Sequence, residues 1–215
     1  MESFVVIGLG RFGMPLAREL YRLGHEVLAV DKDEEAVHRV SDSVSHAITA
    51  DARDEQVLKS IGVRNFDHAV VAFADNIQDN ILITLMLKEL GVKNVIAKGN
   101  DDLHVKVLKR IGADRIVFPE ADMGARFAQM VASNNIIDYI DISEDYSIVE
   151  VAAPDRWGGK SIRQIDVRAR YGINILAVKT HNGETIHVSP EPDYVIRRGD
   201  ALVVIGANDD IKKLG

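Results

Sequence analysis

The sequence predicts an α/β fold, a Rossmann-type doubly wound parallel sheet followed by a small C-terminal α+β subdomain. Three observations predict it. Six short apolar runs, Phe4 to Ile7, Val27 to Val30, Ala47 to Thr49, Ala69 to Phe73, Val95 to Ala97 and Ile116 to Phe118, alternate with amphipathic segments. That alternation marks parallel strands covered by helices on both faces. The first run passes directly into Gly8-Leu9-Gly10-Arg11-Phe12-Gly13 and then a helical pattern, a strand, bend and helix in immediate succession. After Glu120 the pattern becomes mostly strand-like.

Taken in order, the early helices carry a repeated closing signal: Leu20-Tyr-Arg-Leu-Gly24, Leu58-Lys-Ser-Ile-Gly62, Leu87-Lys-Glu-Leu-Gly91 and Leu108-Lys-Arg-Ile-Gly112. Glycine just past a helix end takes the left-handed conformation that satisfies the last carbonyls. These read as four αβ units of one open sheet, too unevenly spaced for a solenoid. The helix from Ile77 to Leu90 is apolar around most of its girth, and Arg126 to Val131 poses the same question in the next helix, about Asp122 to Ser133. A surface helix needs an apolar stripe of only about 100°, so these faces are either sandwiched in the fold or meet another subunit; a homo-oligomer is expected.

That helix leads through Asn134-Asn135 into a strand from Ile136 to Ile142. Further strands are predicted over Tyr146 to Ala152, Ile173 to Thr180, Thr185 to Val188 and Ala201 to Ile205. One helix is expected near Lys160 to Ala169, with turns at His181-Asn182-Gly183 and Arg198-Gly199-Asp200. The expected domains are 1–138, which includes a crossover helix, and 139–215.

Bulk properties narrow the function. The chain has 215 residues, 47% hydrophobic and 27% charged, an ordinary globular composition. A net charge of -7 without a basic run argues against nucleic acid, whose affinity comes from Lys and Arg displacing counterions. With no cysteine, disulfides and thiolate metal sites are excluded, which fits a reducing compartment. No leader pattern and no apolar stretch of about 18 residues is present, so a cytoplasmic location is expected.

The glycine bend has a definite chemistry. Its first glycine permits the turn, its second lets backbone touch a pyrophosphate, and its third lets helix and strand pack; phosphate then sits at the positive end of the helix. Asp31 ends the second strand eighteen residues beyond Gly13, where its carboxylate accepts from both ribose hydroxyls and repels a 2′-phosphate, which disfavours NADP. Lys32 follows it. Arg11 is either a cation fixed near the phosphates or a solvated arginine. Asp51-Ala52 and Asp75-Asn76 follow the third and fourth strands, at carboxyl ends where open sheets bind ligands. Asp51 either receives an adenine amino group or caps the next helix; for Asp75 the cap is the stronger reading. Lys98 and Glu120 follow the fifth and sixth strands, and each taken alone reads as a solvated side chain.

These residues resemble a known family. Gly8-Leu-Gly-Arg-Phe-Gly13, Val30-Asp31, Ala50-Asp51-Ala52, Ala72-Phe-Ala-Asp75-Asn76, Ile96-Ala-Lys98 and Val117-Phe-Pro-Glu120 resemble, in order, the blocks of the RCK domain of Ktr/Trk-type potassium uptake systems. The tail from Tyr139 resembles that family's C-terminal subdomain. The resemblance implies a cytosolic regulatory subunit at the inner face of the membrane. There, dimers form an octameric ring that docks on a KtrB-like, potassium-conducting membrane subunit.

The resemblance also implies ATP, ADP, NAD or NADH in the Rossmann site, with ATP favouring conduction. In the family pattern Asp31 holds the ribose, Asp51 and Ala52 the adenine, and Arg11 a terminal phosphate across the dimer. Glu120 matches an acid that approaches the nucleotide and helps hold a divalent cation, Mg or Ca. The tail resembles subdomains that bind cyclic di-AMP, with Ile162, Ile165, Arg168, Asn174, Ile175 and Pro190 at matching positions. The bland alternative makes the three isoleucines core residues and Pro190 a strand terminator.

Two rival functions share these features. The same fingerprint opens NAD-dependent oxidoreductases, but no His–Asp or Lys–Asp pair is evident for hydride chemistry, and the seven histidines are scattered. An RCK regulator of another cation transporter is hardly distinguishable from the first reading.

Overall fold

Val5 and Ile7 of β1 (Ser3–Ile7) point into one apolar cluster and Val6 into another on the opposite side, so the strand is covered on both faces, as its unbroken apolar run requires. The computed structural model describes residues 1–132, 136–183 and 185–214 and divides into two units, Met1–Pro119 and Glu120–Gly215.

In the first unit β1 lies between β2 (Glu26–Asp31) and β4 (His68–Val71). With β3 (His46–Thr49), β5 (Asn94–Lys98) and β6 (Arg115–Val117) they form a parallel sheet of order β3-β2-β1-β4-β5-β6. The strand order reverses between β1 and β4, and ligands of open α/β sheets bind at the carboxyl ends beside such a reversal. Val5, Val27, Val30, Val71 and Val95 are fully buried. Each such side chain contributes about 1.5–3 kcal/mol, so the strands that end at this crevice are firmly held.

The crossovers are α1 (Gly13–Arg22), α2 (Glu34–Val40), α3 (Glu55–Ser60), α4 (Ile77–Glu89) and α5 (Asp102–Arg110). Gly24, Gly62, Gly91 and Gly112 all have φ between 72 and 94°, as the closing signal predicts. A fifth crossover, α2, closes without a glycine, through a 3-10 turn over Ser41–Ser43. Helix α4 buries Ile83, Met86 and Leu87 and leaves Leu82 exposed, so its apolar girth is partly sandwiched and partly open.

Helix α6 (Pro119–Ala132), none of whose residues is buried, lies in the second unit from Glu120 onward. The predicted helix end at Ser133 and the Asn134-Asn135 connection lie outside the described residues. The strands β7 (Ile136–Asp141), β8 (Tyr146–Ala152), β9 (Asn174–Lys179), β10 (Ile186–Val188) and β11 (Ala201–Ala207) form an antiparallel sheet of order β10-β9-β11-β8-β7. Strand β8 alternates buried Ser147, Val149 and Val151 with more open residues, the signature of a half-covered sheet. Trp157, Ile173, Ile196 and Leu202 fill the core beneath it.

The helix predicted near 160–169 is two short pieces, α7 (Ile162–Ile165) and α8 (Val167–Tyr171). A capping box of Ser161 with Gln164 starts α7, and Asp166, left-handed at φ 52°, breaks the run. Asp tolerates that conformation better than most residues. The short α9 (Asn208–Ile211) follows β11. Among the described residues no helix is long and apolar enough to cross a membrane.

Candidate nucleotide-binding site

At the carboxyl ends of β1, β2, β3 and β4 lies a cavity of about 300 Å³. It is lined by Gly8, Gly10, Asp31, Lys32, Asp51, Ala52, Asp75 and Asn76, all predicted from sequence, and by Phe73, Arg53, Asp79 and Ile83, which were not.

Each glycine of the bend has its own constraint. Gly8 has φ 96°, and a Cβ there would lie 2.7 Å from Cδ1 of Phe73. A Cβ on Gly13 would stand 1.9 Å from the Gly8 carbonyl oxygen and 2.9 Å from the Ala72 side chain, so only glycine lets α1 approach the sheet. At Gly10 a Cβ would meet nothing within 4 Å. The protein itself does not demand glycine there; the bare backbone leaves room beside the cavity. Helix α1 has no side-chain cap and no acid in its first turn, which keeps its positive end uncompensated. This geometry fits a pyrophosphate.

Asp31 ends β2 with its carboxylate against the bend. Its Oδ2 accepts the N–H of Leu9 at 2.5 Å and its Oδ1 the N–H of Asp33 at 2.9 Å. A carboxylate has about four lone-pair sites, so capacity remains for two sugar hydroxyls.

The third strand delivers Asp51 to the same rim. The Arg53 guanidinium hydrogen-bonded to it, together with the Arg53 backbone N–H, holds the Asp51 carboxyl down at about 2. Asp51 is not the cap of α3, because that helix starts at Glu55 and Asp54 accepts the Gln56 N–H. Asp75 likewise is not the cap of α4. That helix starts at Ile77, and the Asn76 side chain accepts the Asp79 N–H at 3.1 Å. Behind the rim, buried Asn80 donates to the carbonyls of Phe73 and Lys98, tying the ends of β4 and β5 together.

The cavity lining does not include Arg11, Phe12, Gly13 or Lys98. Arg11 is exposed in the turn before α1, whereas Phe12 packs against the core on the far face of the sheet. Glu120 stands in the first turn of α6, in the second unit. Among the described residues no group of three or more His, Asp or Glu is placed to hold a metal ion.

In the second unit Ile165 is buried, and Ile162 and Ile175 pack against the same core. Arg168 on α8 and Asn174 at the start of β9 are exposed, and Pro190 follows Ser189, which has φ 50°.

Arg53 and Asp79 each carry one weak signal, an Asp-x-Arg pair at a strand end and an acid in a helix first turn. Nothing local said that they meet, with Nη1 of Arg53 3.7 Å from Oδ2 of Asp79.

The chain matches the TrkA-N domain over residues 4–119 and the TrkA-C domain over 146–215. Two Bacillus subtilis (strain 168) proteins, Ktr system potassium uptake protein A and protein C, are 49% and 48% identical over 212 residues, 99% of this chain and 95% of each relative. The crystal structure of the GsuK RCK domain is similar at TM-score 0.55 and 25% identity, over 99% of this chain and 45% of that one. The GsuK channel bound to NAD, at TM-score 0.54 and 24% identity over 100% of this chain and 38% of that one, shares the fold. The chain belongs to the Ktr family of potassium uptake proteins, with a TrkA-N domain followed by a TrkA-C domain.

Proposed function

We propose that this chain is a cytosolic, nucleotide-gated regulatory subunit of a potassium uptake channel, and not an enzyme. One observation carries the nucleotide part: Asp31 and the glycine bend share a hydrogen bond at the mouth of the cavity. In this reading the ribose of ATP, ADP, NAD or NADH sits on Asp31, with Lys32 beside it. The pyrophosphate lies along Gly10 and the positive end of α1, and the base lies toward Asp51 and Ala52, with Asp75, Asn76 and Lys98 on the rim. The 48–49% identity to Ktr system potassium uptake proteins A and C supports a regulatory binding site over a dehydrogenase.

Residues 1–138 act as sensor and 139–215 as a second regulatory subdomain, which takes cyclic di-AMP through Arg168 and Asn174. The apolar side chains that α6 and α4 leave exposed support assembly of dimers into an octameric ring on a KtrB-like membrane subunit. Arg11 then reaches a terminal phosphate from the neighbouring subunit, and Glu120 helps hold a divalent cation, Mg or Ca, that a second subunit completes. The signal is transmitted because ATP and ADP differ in affinity for two ring shapes; equal affinity would shift nothing.

A thermal-shift panel of ATP, ADP, NAD, NADH, NADPH and cyclic di-AMP tests this, because ligands of the folded state raise its stability by mass action. Stabilisation by ATP and ADP but not NADPH is expected. Arg11→Ala should bind ADP normally and lose ATP-specific activation of potassium flux in proteoliposomes with the membrane subunit. Preference for NADPH, or equal ATP activation of mutant and parent, contradicts the reading.

A further inference from the structure

Arg53 belongs neither to the glycine fingerprint nor to the row of strand-end acids, yet it stands on the cavity wall. Its Nε lies 2.9 Å from Oδ1 and 3.1 Å from Oδ2 of Asp51, and its Nη2 lies 2.6 Å from Oδ2. Its backbone N–H also donates to Oδ1, at 3.0 Å, while Nη1 faces Asp79. The contacts on Asp51 come from three N–H groups, the Nε–H being shared between both oxygens, so they occupy most of the about four lone-pair sites of the Asp51 carboxylate. The same bonds use the edge of the guanidinium and leave its two flat faces without a hydrogen bond, the condition under which arginine stacks on aromatic rings.

We infer that Arg53 is the base-recognition residue of this site: Asp51 and Asp79 fix its guanidinium by the edge, and a planar purine stacks on its face. The inference rests on the nucleotide reading above and deepens it. Phosphate is the weaker alternative for this cation, since two carboxylates already more than offset its charge. Recognition by stacking reads the ring and not the groups on its edge, so adenine and hypoxanthine should be accepted alike.

The test is isothermal titration of the full chain with ADP and inosine diphosphate, for the parent, Arg53→Lys and Arg53→Ala, with melting of each unliganded protein to confirm folding. Lysine keeps the charge and loses the plane. The parent should bind both diphosphates within about threefold of each other, and both variants should bind each about three- to thirtyfold more weakly. A lysine variant with parental affinity overturns the inference, because a point charge would then suffice. A parental preference for ADP above about tenfold overturns it too, since that discrimination needs a hydrogen bond to the amino group. If the parent binds neither diphosphate, the nucleotide reading itself falls and the inference with it; ADP binding unchanged in both variants sinks the inference alone.

Discussion

The carboxylate of Asp31 accepts the backbone N–H of Leu9 at 2.5 Å, so the acid at the end of β2 and the bend after β1 form one unit before any ligand arrives. Asp31→Ala should therefore damage both fold and binding. A hydrogen bond to a partly buried carboxylate is worth about 1–2 kcal/mol of stability, readable as a lowered denaturant midpoint. ADP affinity should fall about tenfold or more. A variant of parental stability that binds ADP normally would show that the contact is incidental.

Gly10 and Gly13 should behave as opposites. A methyl group at 13 collides with the Gly8 carbonyl, whereas one at 10 meets no protein atom. Gly13→Ala should lower the melting temperature markedly; Gly10→Ala should melt like the parent and fail to bind ADP in titration calorimetry. Normal ADP affinity in Gly10→Ala would remove the pyrophosphate from the bend.

His104 is buried, and neither ring nitrogen has a hydrogen-bond partner. Burial pushes its pKa below the ordinary 6.5, against a smaller opposing effect of Asp101. In acid the unfolded chain thus takes a proton that the folded chain refuses. This contribution is complete above about pH 6.5 and is lost as pH falls toward the lower, folded value. The parent's melting temperature should drop between pH 7 and pH 5, and His104→Leu should flatten that slope; identical slopes would contradict the assignment.

Met123, Phe127 and Val131 stand four residues apart on α6, and each is more than half exposed. A stripe of that spacing lies on one helix face. Phe127→Glu should reduce the mass measured by light scattering to that of a smaller species. An unchanged mass would place the subunit contacts elsewhere.

Much of this architecture is local chemistry and therefore legible in the chain. The six parallel strands announce themselves as apolar runs, and Gly24, Gly62, Gly91 and Gly112 mark helix ends because their left-handed φ suits glycine. Where the cue is weaker the sequence misleads. Helix α2 ends without a glycine, and Asp166 breaks a helix that propensity alone would continue. The pattern points to Asp75 as the cap where Asn76 holds it, because a sequence pattern does not fix the first helical residue that finely. The glycine bend and Asp31 were readable because their roles depend on neighbours in sequence. The bracket of Asp51 and Asp79 around Arg53 was not, since it joins residues from two different crossovers.

Asp31 and the bare backbone at Gly10 are proposed to share one nucleoside diphosphate. A crystal structure of the chain with ADP tests this most directly. Both ribose hydroxyls should lie on the Asp31 carboxylate and the pyrophosphate along Gly10 and the start of α1; a sugar turned away from Asp31, or an empty cavity at saturating ADP, would refute the shared site.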